Sequence, residues 1–327
     1  MHQALYFENM DNLTVKCNLC PNYCIIKDGN FGSCRSRKNV SGVLMAVNYG
    51  RTVSINLDPI EKKPLYHYYP GSQILSLGAN SCNLHCEFCQ NSEISQEDCL
   101  TQVMSPDELL DILIRKSLSR VAFTYTEPFT WYEYLLDCGK LFTEYNIKMV
   151  LVTNGYINQE PMKVLLPYID AMNIDLKSIS EGFYKNICKG KLEPVLDTIR
   201  TASEHCHIEL TNLIIPNLND SEDEIRALVD FVYCINPEIP LHFSRYYPHW
   251  KCQQPQTPLE TLHKAFEIAK EKLCYVYLGN IPSGDFCDTS CPECKNILIK
   301  RNIFSSAVIK MSTNQCSNCG KQIYGCF

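Results

Sequence analysis

Cysteine spacing constrains this chain more than any other feature. Of its 20 cysteines, four lie between Cys17 and Cys34, three between Cys82 and Cys89, and five between Cys287 and Cys319. The remaining singletons, such as Cys138, Cys188 and Cys252, have no partner at ligand spacing and read as buried small apolar residues. Met1, His2, Gln3 and Ala4 show no basic stretch leading into an apolar run, so a cytoplasmic protein is expected. In a reducing compartment, clustered thiols serve as metal and cluster ligands rather than as disulfides.

The 327 residues, 45% hydrophobic and 20% charged, can bury a sizeable core, which excludes disorder and a disulfide-stapled miniprotein. No apolar run approaches the roughly 20 residues that cross a bilayer, so no membrane association is expected. Thirty basic against 36 acidic side chains give a net charge of -6, the wrong balance for a protein that neutralises phosphates, and no nucleic-acid partner is expected.

Between the second and third cysteine clusters, strand-like and helix-like segments alternate. Val121 to Tyr125, Met149 to Val152, Met172 to Leu176, Ile208 to Ile215 and Leu241 to Tyr246 read as strands, after a first one at Ile74 to Asn80. Ser105-Pro106-Asp107-Glu108 starts a helix with a capping box, and Ser221 with Glu224 and Thr257 with Glu260 mark two more helix starts. Six βα units in a row predict an α/β fold, a partial (βα)6 TIM-like barrel. Leu44 to Asn48 and Thr52 to Leu57 suggest a hairpin around Gly50, and Ile297 to Arg301 and Ala307 to Met311 suggest short strands between cysteine pairs. The expected layout is an N-terminal cysteine module over 1–70, a barrel over 71–284 and a C-terminal zinc-ribbon-like module over 285–327.

Cys82, Cys86 and Cys89 form C-x3-C-x2-C just past the first barrel strand. Three thiolates on one loop can each take a separate iron of a [4Fe–4S] cluster, and with no fourth cysteine beside them one iron stays open for substrate or water. A three-cysteine zinc knuckle borrowing His85 or a distant ligand has the same spacing, so spacing alone leaves both readings open. The pairs Cys291/Cys294 and Cys316/Cys319 lie about 20 residues apart and read as a zinc ribbon. Cys17, Cys20, Cys24 and Cys34 are again four close thiols with no open position implied, and zinc is expected there too.

Polar residues also gather where barrel strands end, the end at which barrel chemistry collects. Thr124, Thr126 and Glu127 follow one strand, and Thr153, Asn154 and Gly155 another. Strand alternation puts Asn173, Asp175 and Lys177 on one face, and Glu209 with Thr211 on one face of the next. An internal salt-bridge network filling a narrow barrel would explain a single Asp–Lys pair. Polar groups at several successive strand ends favour a bound polar cofactor.

These motifs together resemble a known family. Cys82-x3-Cys86-x2-Cys89 with Phe88 before the last cysteine resembles the signature of the radical S-adenosylmethionine (SAM) enzymes. Thr124-Tyr125-Thr126-Glu127-Pro128 resembles their Gly-Gly-Glu-type motif, and Asp175-Leu176-Lys177 the Asp-x-Lys of pyruvate formate-lyase activating enzymes. A closer resemblance, to the radical SAM component of the AmmeMemoRadiSam system, rests on Cys17-x2-Cys20-Pro21-x2-Cys24, Asp58-Pro59-Ile60-Glu61-Lys62-Lys63-Pro64-Leu65-Tyr66-His67, Cys89-Gln90-Asn91, Leu213 to Asp220, Tyr277 to Asn280 and the last Cys-x2-Cys-Gly. Ser81 stands where glycine is common before the first cysteine, and the segment Thr124–Thr126 replaces the motif's flexible glycines.

The resemblance implies a radical SAM barrel, a [4Fe–4S] cluster on Cys82, Cys86 and Cys89, and SAM chelated to its open iron. It implies SAM contacts from Phe88 near the adenine, from Thr126, from Glu127 to the amino group, and from Asp175 and Lys177, with Asn154 and Thr211 as further contacts. It also implies reductive cleavage to a 5′-deoxyadenosyl radical, an electron donor such as a flavodoxin or ferredoxin, and hydrogen abstraction from a protein or peptide substrate. A glycyl-radical-enzyme activating enzyme is the alternative within that chemistry. A non-catalytic zinc-ribbon adaptor is the alternative outside it, which the acidic balance and the strand-end polar groups oppose. His67, Tyr68, Tyr125 and Tyr246 could contact substrate but are as easily packing residues.

Overall fold

The computed structural model describes residues 2–281, 285–302 and 305–327; the expected domain boundary at 284 lies outside them. Its centre is a sheet in which seven parallel strands follow one another in sequence order. They are β2 (Gln73–Ala79), β3 (Arg120–Phe123), β4 (Lys148–Thr153), β5 (Ala171–Asp175), β6 (His207–Ile214), β7 (Leu241–Arg245) and β8 (Val276–Gly279). An antiparallel strand, β1 (Arg51–Pro59), adds to the free side of β2. Sequential order without reversal is barrel-type winding, and β8 and the opposite edge do not pair with each other, so the barrel is partial. Val121, Ala122, Phe123, Met149, Val150 and Leu151 are all buried, as expected of strands covered on both faces.

Helices α1 (Pro106–Arg115), α2 (Tyr132–Glu144), α3 (Gln159–Leu165), α4 (Glu193–Ser203), α5 (Glu222–Ile235) and α6 (Leu259–Lys270) fill the crossovers. The capping box of α1 closes in both directions: the Glu108 amide donates to Ser105 Oγ at 3.2 Å and the Ser105 amide to Glu108 Oε2 at 2.7 Å. Ser221 caps α5, but the Glu224 carboxylate accepts instead from Ser178 Oγ and the Ile179 amide, tying the helix to the β5 loop. Thr257 does not cap α6. It is wholly buried, where its hydroxyl donates to the Ile214 carbonyl at 2.6 Å and accepts the Tyr246 amide at 2.9 Å.

The hairpin expected around Gly50 does not form. Val43–Ala46 pairs instead with Arg37–Val40 and His2–Gln3, and the chain turns at Gly50, φ +65°, to send β1 into the barrel sheet. Register explains the exchange: β1 has seven partner positions on β2, against a short edge in the N-terminal sheet. The N-terminal residues otherwise build two small antiparallel sheets, the second from Phe7–Asn9, Val15–Cys17 and Ile25–Ile26. In the tail, Ile297–Asn302 pairs with Ser305–Val308, and Met311–Ser312 with Gln315–Cys316, close to the expected strands. No helix among the described residues is long and apolar enough to cross a membrane.

One end of the barrel is sealed by a buried polar knot. Glu209, near the start of β6, accepts from the Tyr66 amide at 2.9 Å, the His67 amide at 2.6 Å, His207 Nε2 at 3.1 Å and His242 Nε2 at 2.7 Å. His67 continues the chain of bonds to Tyr277 OH and the Tyr324 carbonyl, and Arg301 reaches the Tyr66 carbonyl, so the C-terminal tail is stitched to this end. His67, Tyr68 and Tyr246 are buried packing residues; burial pushes His67 down to about 3. Burial opposes the Glu209 charge most strongly, but the bonds from His207 and His242 overcome it and hold the carboxyl far below its ordinary value of 4.5. Its contribution to stability is therefore complete above the unfolded-state pKa and is lost as pH falls below it. Glu209→Gln should cost about 3–5 kcal/mol in denaturant unfolding, the usual penalty for removing one partner of a buried charged pair, and should flatten the acid limb of the stability profile.

Candidate functional site

At the opposite end, where the parallel strands finish, lies an open cleft of about 370 Å³. Cys82, Cys86 and Cys89 line it, together with Phe88, Thr126, Glu127, Asn154, Asp175, Lys177 and Thr211, so the fold brings together every residue that sequence motifs assigned to this site. Glu209 does not belong to the cleft, because β6 places it two residues before Thr211 and thus at the sealed end. Alternation alone could not reveal that difference in depth.

The cysteine loop is held from several sides. Ser81 Oγ bonds to Thr130 Oγ1 at 2.5 Å and accepts from Asn48 Nδ2 at 3.2 Å; Asn83 Nδ2 donates to the Tyr156 carbonyl at 2.6 Å. The His85 and Glu87 amides donate to the carbonyls of Cys188 and Ile187. His85 cannot serve the zinc-knuckle reading as it stands, because both ring nitrogens are engaged, Nε2 with Ser33 and Nδ1 with Gln96. Among the described residues, only Cys291, Cys294, Cys316 and Cys319 bring three or more ligand atoms within 4.8 Å of one another. The three loop thiols do not all lie within that distance of one another, which suits ligands on separate irons of a cluster better than ligands on one ion.

Burial raises the thiol pKa of Cys82 well above its ordinary value. For Cys86 the leading cause of a similar rise is a contact with the Cys188 thiol. Cys188 is fully buried and absent from the cleft wall, so the fold does bring a fourth cysteine beside Cys86. Its sequence position, 99 residues from Cys89, gave no sign of this.

Glu127 is buried and bonded to its own chain: Oε1 accepts from the Phe129 amide at 2.9 Å and Thr153 Oγ1 at 2.7 Å, and Oε2 from the Asn154 amide at 2.8 Å. Burial nevertheless pushes its carboxyl up to about 7, the behaviour of an acid lacking a cationic partner. Asp175 and Lys177 form an ion pair at 3.0 Å on the cleft wall, with the Lys177 ammonium 5.9 Å from the Phe88 ring centroid. Asn154 Nδ2 lies 3.7 Å from Cys82 Sγ.

Other wall residues escaped the sequence reading as contacts: Lys62, Lys63, Gln90, Asn91, Thr153, Ser244 and Asn280. The most informative group surrounds Tyr125, which adopts a left-handed φ of +68°. Its hydroxyl donates to Asp58 Oδ2 at 2.6 Å, the Lys63 ammonium sits 4.5 Å from its ring centroid, and its carbonyl accepts from Asn91 Nδ2 at 2.6 Å. Lys63 in turn pairs with Asp58 at 2.8 Å. Burial opposes the Asp58 charge, but the bonds from Lys63 and Tyr125 dominate together and lower its carboxyl to about 2. Lys62, Lys63 and Pro64 thus line the cleft, and Tyr125 is the member of the four candidate aromatics that reaches it.

In the C-terminal tail the four thiols converge. Cys291 and Cys319 sulfurs are 3.5 Å apart, and those of Cys294 and Cys316 3.6 Å. Thiolates on one tetrahedral zinc at 2.3 Å stand roughly 3.8 Å apart, so this arrangement needs little movement to hold an ion.

A profile of the radical SAM superfamily matches residues 77–232. The uncharacterized protein MJ0808 of Methanocaldococcus jannaschii is 43% identical over 99% of both chains. The pyruvate formate-lyase-activating enzyme of Clostridium pasteurianum is 28% identical over 46% of this chain and 66% of its own. The 4-hydroxyphenylacetate decarboxylase activating enzyme of Clostridium scatologenes is 26% identical over 44% of this chain and 48% of its own. Among solved structures, a radical SAM methyltransferase from Sphaerobacter thermophilus superposes with a TM-score of 0.51 at 13% identity, covering 64% of this chain and 67% of that one, and so shares the fold. The chain belongs to the radical SAM superfamily and is homologous to the pyruvate formate-lyase activating enzymes.

Proposed function

We propose that the protein is a radical SAM enzyme whose cluster is held by Cys82, Cys86 and Cys89 and whose SAM lies in the strand-end cleft. The observation that carries this reading is the convergence of three separated loop thiols and the strand-end polar residues on one cleft. When bound, the cluster and SAM together supply a 5′-deoxyadenosyl radical by one-electron reductive cleavage. The chain's own part is to bind, orient and exclude water. Glu127, buried and raised toward 7, gains most from a cation, and an ammonium arriving beside it would favour its charged form. Asp175 and Lys177 can exchange their mutual contact for the ammonium, carboxylate and hydroxyl groups that SAM carries. Phe88, 5% exposed and packed against Phe183, offers an apolar surface for the adenine; Thr126, Asn154 and Thr211 offer neutral polar contacts.

The cleft is open, so a bulky substrate such as a protein or peptide segment fits this reading, with an external one-electron donor such as a flavodoxin or ferredoxin. Similarity to two activating enzymes supports a glycyl-radical-enzyme activase as the second reading. Within the superfamily we place the chain with the AmmeMemoRadiSam radical SAM enzymes, on motifs of which the one beginning at Asp58 brings Lys62, Lys63 and Pro64 to the cleft. The terminal cysteine modules are read as accessory to the barrel, with zinc on Cys291, Cys294, Cys316 and Cys319.

Three outcomes are expected. Replacing Cys82, Cys86 and Cys89 with alanine should remove about four irons per chain and abolish 5′-deoxyadenosine formation; full iron retention would move the cluster elsewhere. Replacing Asp175 and Lys177 together with Asn and Met should leave folding and cluster loading intact but weaken SAM binding about ten-fold or more, as loss of charge-assisted contacts of ~1.5–3 kcal/mol would; unchanged affinity would make the pair a purely internal salt bridge. Changing Cys316 to alanine should remove about one zinc per chain by metal analysis without loss of iron.

A further inference from the structure

The geometry points to a second iron–sulfur cluster, not zinc, on Cys17, Cys20, Cys24 and Cys34. Sequence spacing alone suggested zinc at both terminal modules, yet the two sets fold differently. The C-terminal thiols crowd within the reach of one ion, whereas no three of the N-terminal thiols come within 4.8 Å of one another. They instead line, all four, the wall of one small cavity. Thiolates on separate irons stand further apart than thiolates on one ion, because the iron–sulfide core lies between them.

A second observation is independent of the spacing. Arg37 also lines this cavity, is 1% exposed, and has a buried Nε with no hydrogen-bond partner. Its other nitrogens are satisfied, NH1 by the Leu5 carbonyl at 3.1 Å and NH2 by Glu133 at 2.8 Å. A buried unpaired N–H is costly unless something in the cavity accepts from it. Cluster sulfides and thiolates are acceptors for such a donor, and hydrogen bonds to sulfur are a main control of cluster potential. The Ser33 amide already donates to Cys24 Sγ at 3.5 Å.

The position suits a partner for the barrel site. Asn83 lines the N-terminal cavity, while its neighbour Cys82 lines the SAM cleft, so a single peptide bond joins the two walls. Asn22 Nδ2 donates to the Asn83 carbonyl at 2.8 Å, which ties the N-terminal loop to the same point. With four thiolates and no open iron, this cluster would carry electrons rather than bind SAM. The assignment of the metal does not depend on the reading of the barrel loop.

The test is metal and sulfide analysis of the anaerobically prepared full chain, with iron spectroscopy of the protein lacking the barrel thiols (Cys82→Ala, Cys86→Ala, Cys89→Ala). The intact protein should hold about eight irons and one zinc per chain, and the triple variant about four irons. The reduced variant should give a four-iron signal that added SAM does not alter, since no coordination position is open. About two zincs in the intact protein, or a triple variant with no iron and two zincs, would overturn the proposal. Should the triple variant fail to fold, the stoichiometry of the intact protein decides alone. An intact protein with only about four irons, none of them lost in the triple variant, would uphold this cluster while refuting the one on the barrel loop.

Discussion

The loop from Ser81 to Asn91 must hold three thiols apart at a fixed spacing while leaving one side open, and much of the surrounding structure serves that demand. Thiols on a free loop would collapse toward one another or adopt many spacings. Here the loop amides and side chains bond outward to the N-terminal module, to Thr130 before α2, to Tyr156 after β4 and to the residues around Cys188. Leu84 and Phe88 are buried into the same neighbours, which adds apolar anchorage on either side of Cys86. Ser33 on His85 and Arg35 on the Ser95 and Glu97 carbonyls press from the outside. The N-terminal module is thus part of the mould for the loop.

Two features of the cleft wall cost stability and are held in place by their neighbours. Tyr125 takes a left-handed backbone conformation that glycine would take more cheaply, at a penalty of about 1 kcal/mol or more. Its hydroxyl and ring are fixed by Asp58 and Lys63 in return, an anchorage glycine could not supply. Gly78 on β2 is needed for the same reason: a Cβ there would come within 3.0 Å of the Thr124 carbonyl and 3.2 Å of Tyr125 Cβ. Glu127 is the second strained feature, an acid buried among amide and hydroxyl donors without a cation in contact. Strain of both kinds collects where a polar ligand has room, and the sealed end shows the contrast, since Glu209 there is fully matched by histidines.

Much was legible in the residues alone. Alternating apolar runs and capping signals located the barrel strands and most helices, because parallel strands buried on both faces leave a strong hydrophobic record. C-x3-C-x2-C and the strand-end polar groups located the cleft, since a barrel carries its chemistry at one end whatever its loops do. Local sequence was a poorer guide where two uses of a residue compete. Thr257 looked like a helix cap and is a buried brace between strands; the strand after Gly50 looked like half of a hairpin and belongs to the barrel.

Tertiary structure decided depth, distance and grouping. Glu209 and Thr211 share a strand face, but only the folded sheet assigns one to the sealed end and the other to the cleft. Cys188 stands beside Cys86 across a long stretch of sequence, and Lys63 beside Tyr125, through contacts that no spacing rule encodes. The two terminal cysteine quartets look alike as spacings and differ in how far apart their sulfurs are held. The reason is physical: a motif records which ligand atoms a chain possesses, whereas the separation of those atoms is set by the packing of segments distant in sequence, and that separation distinguishes a site for one ion from a site for a cluster.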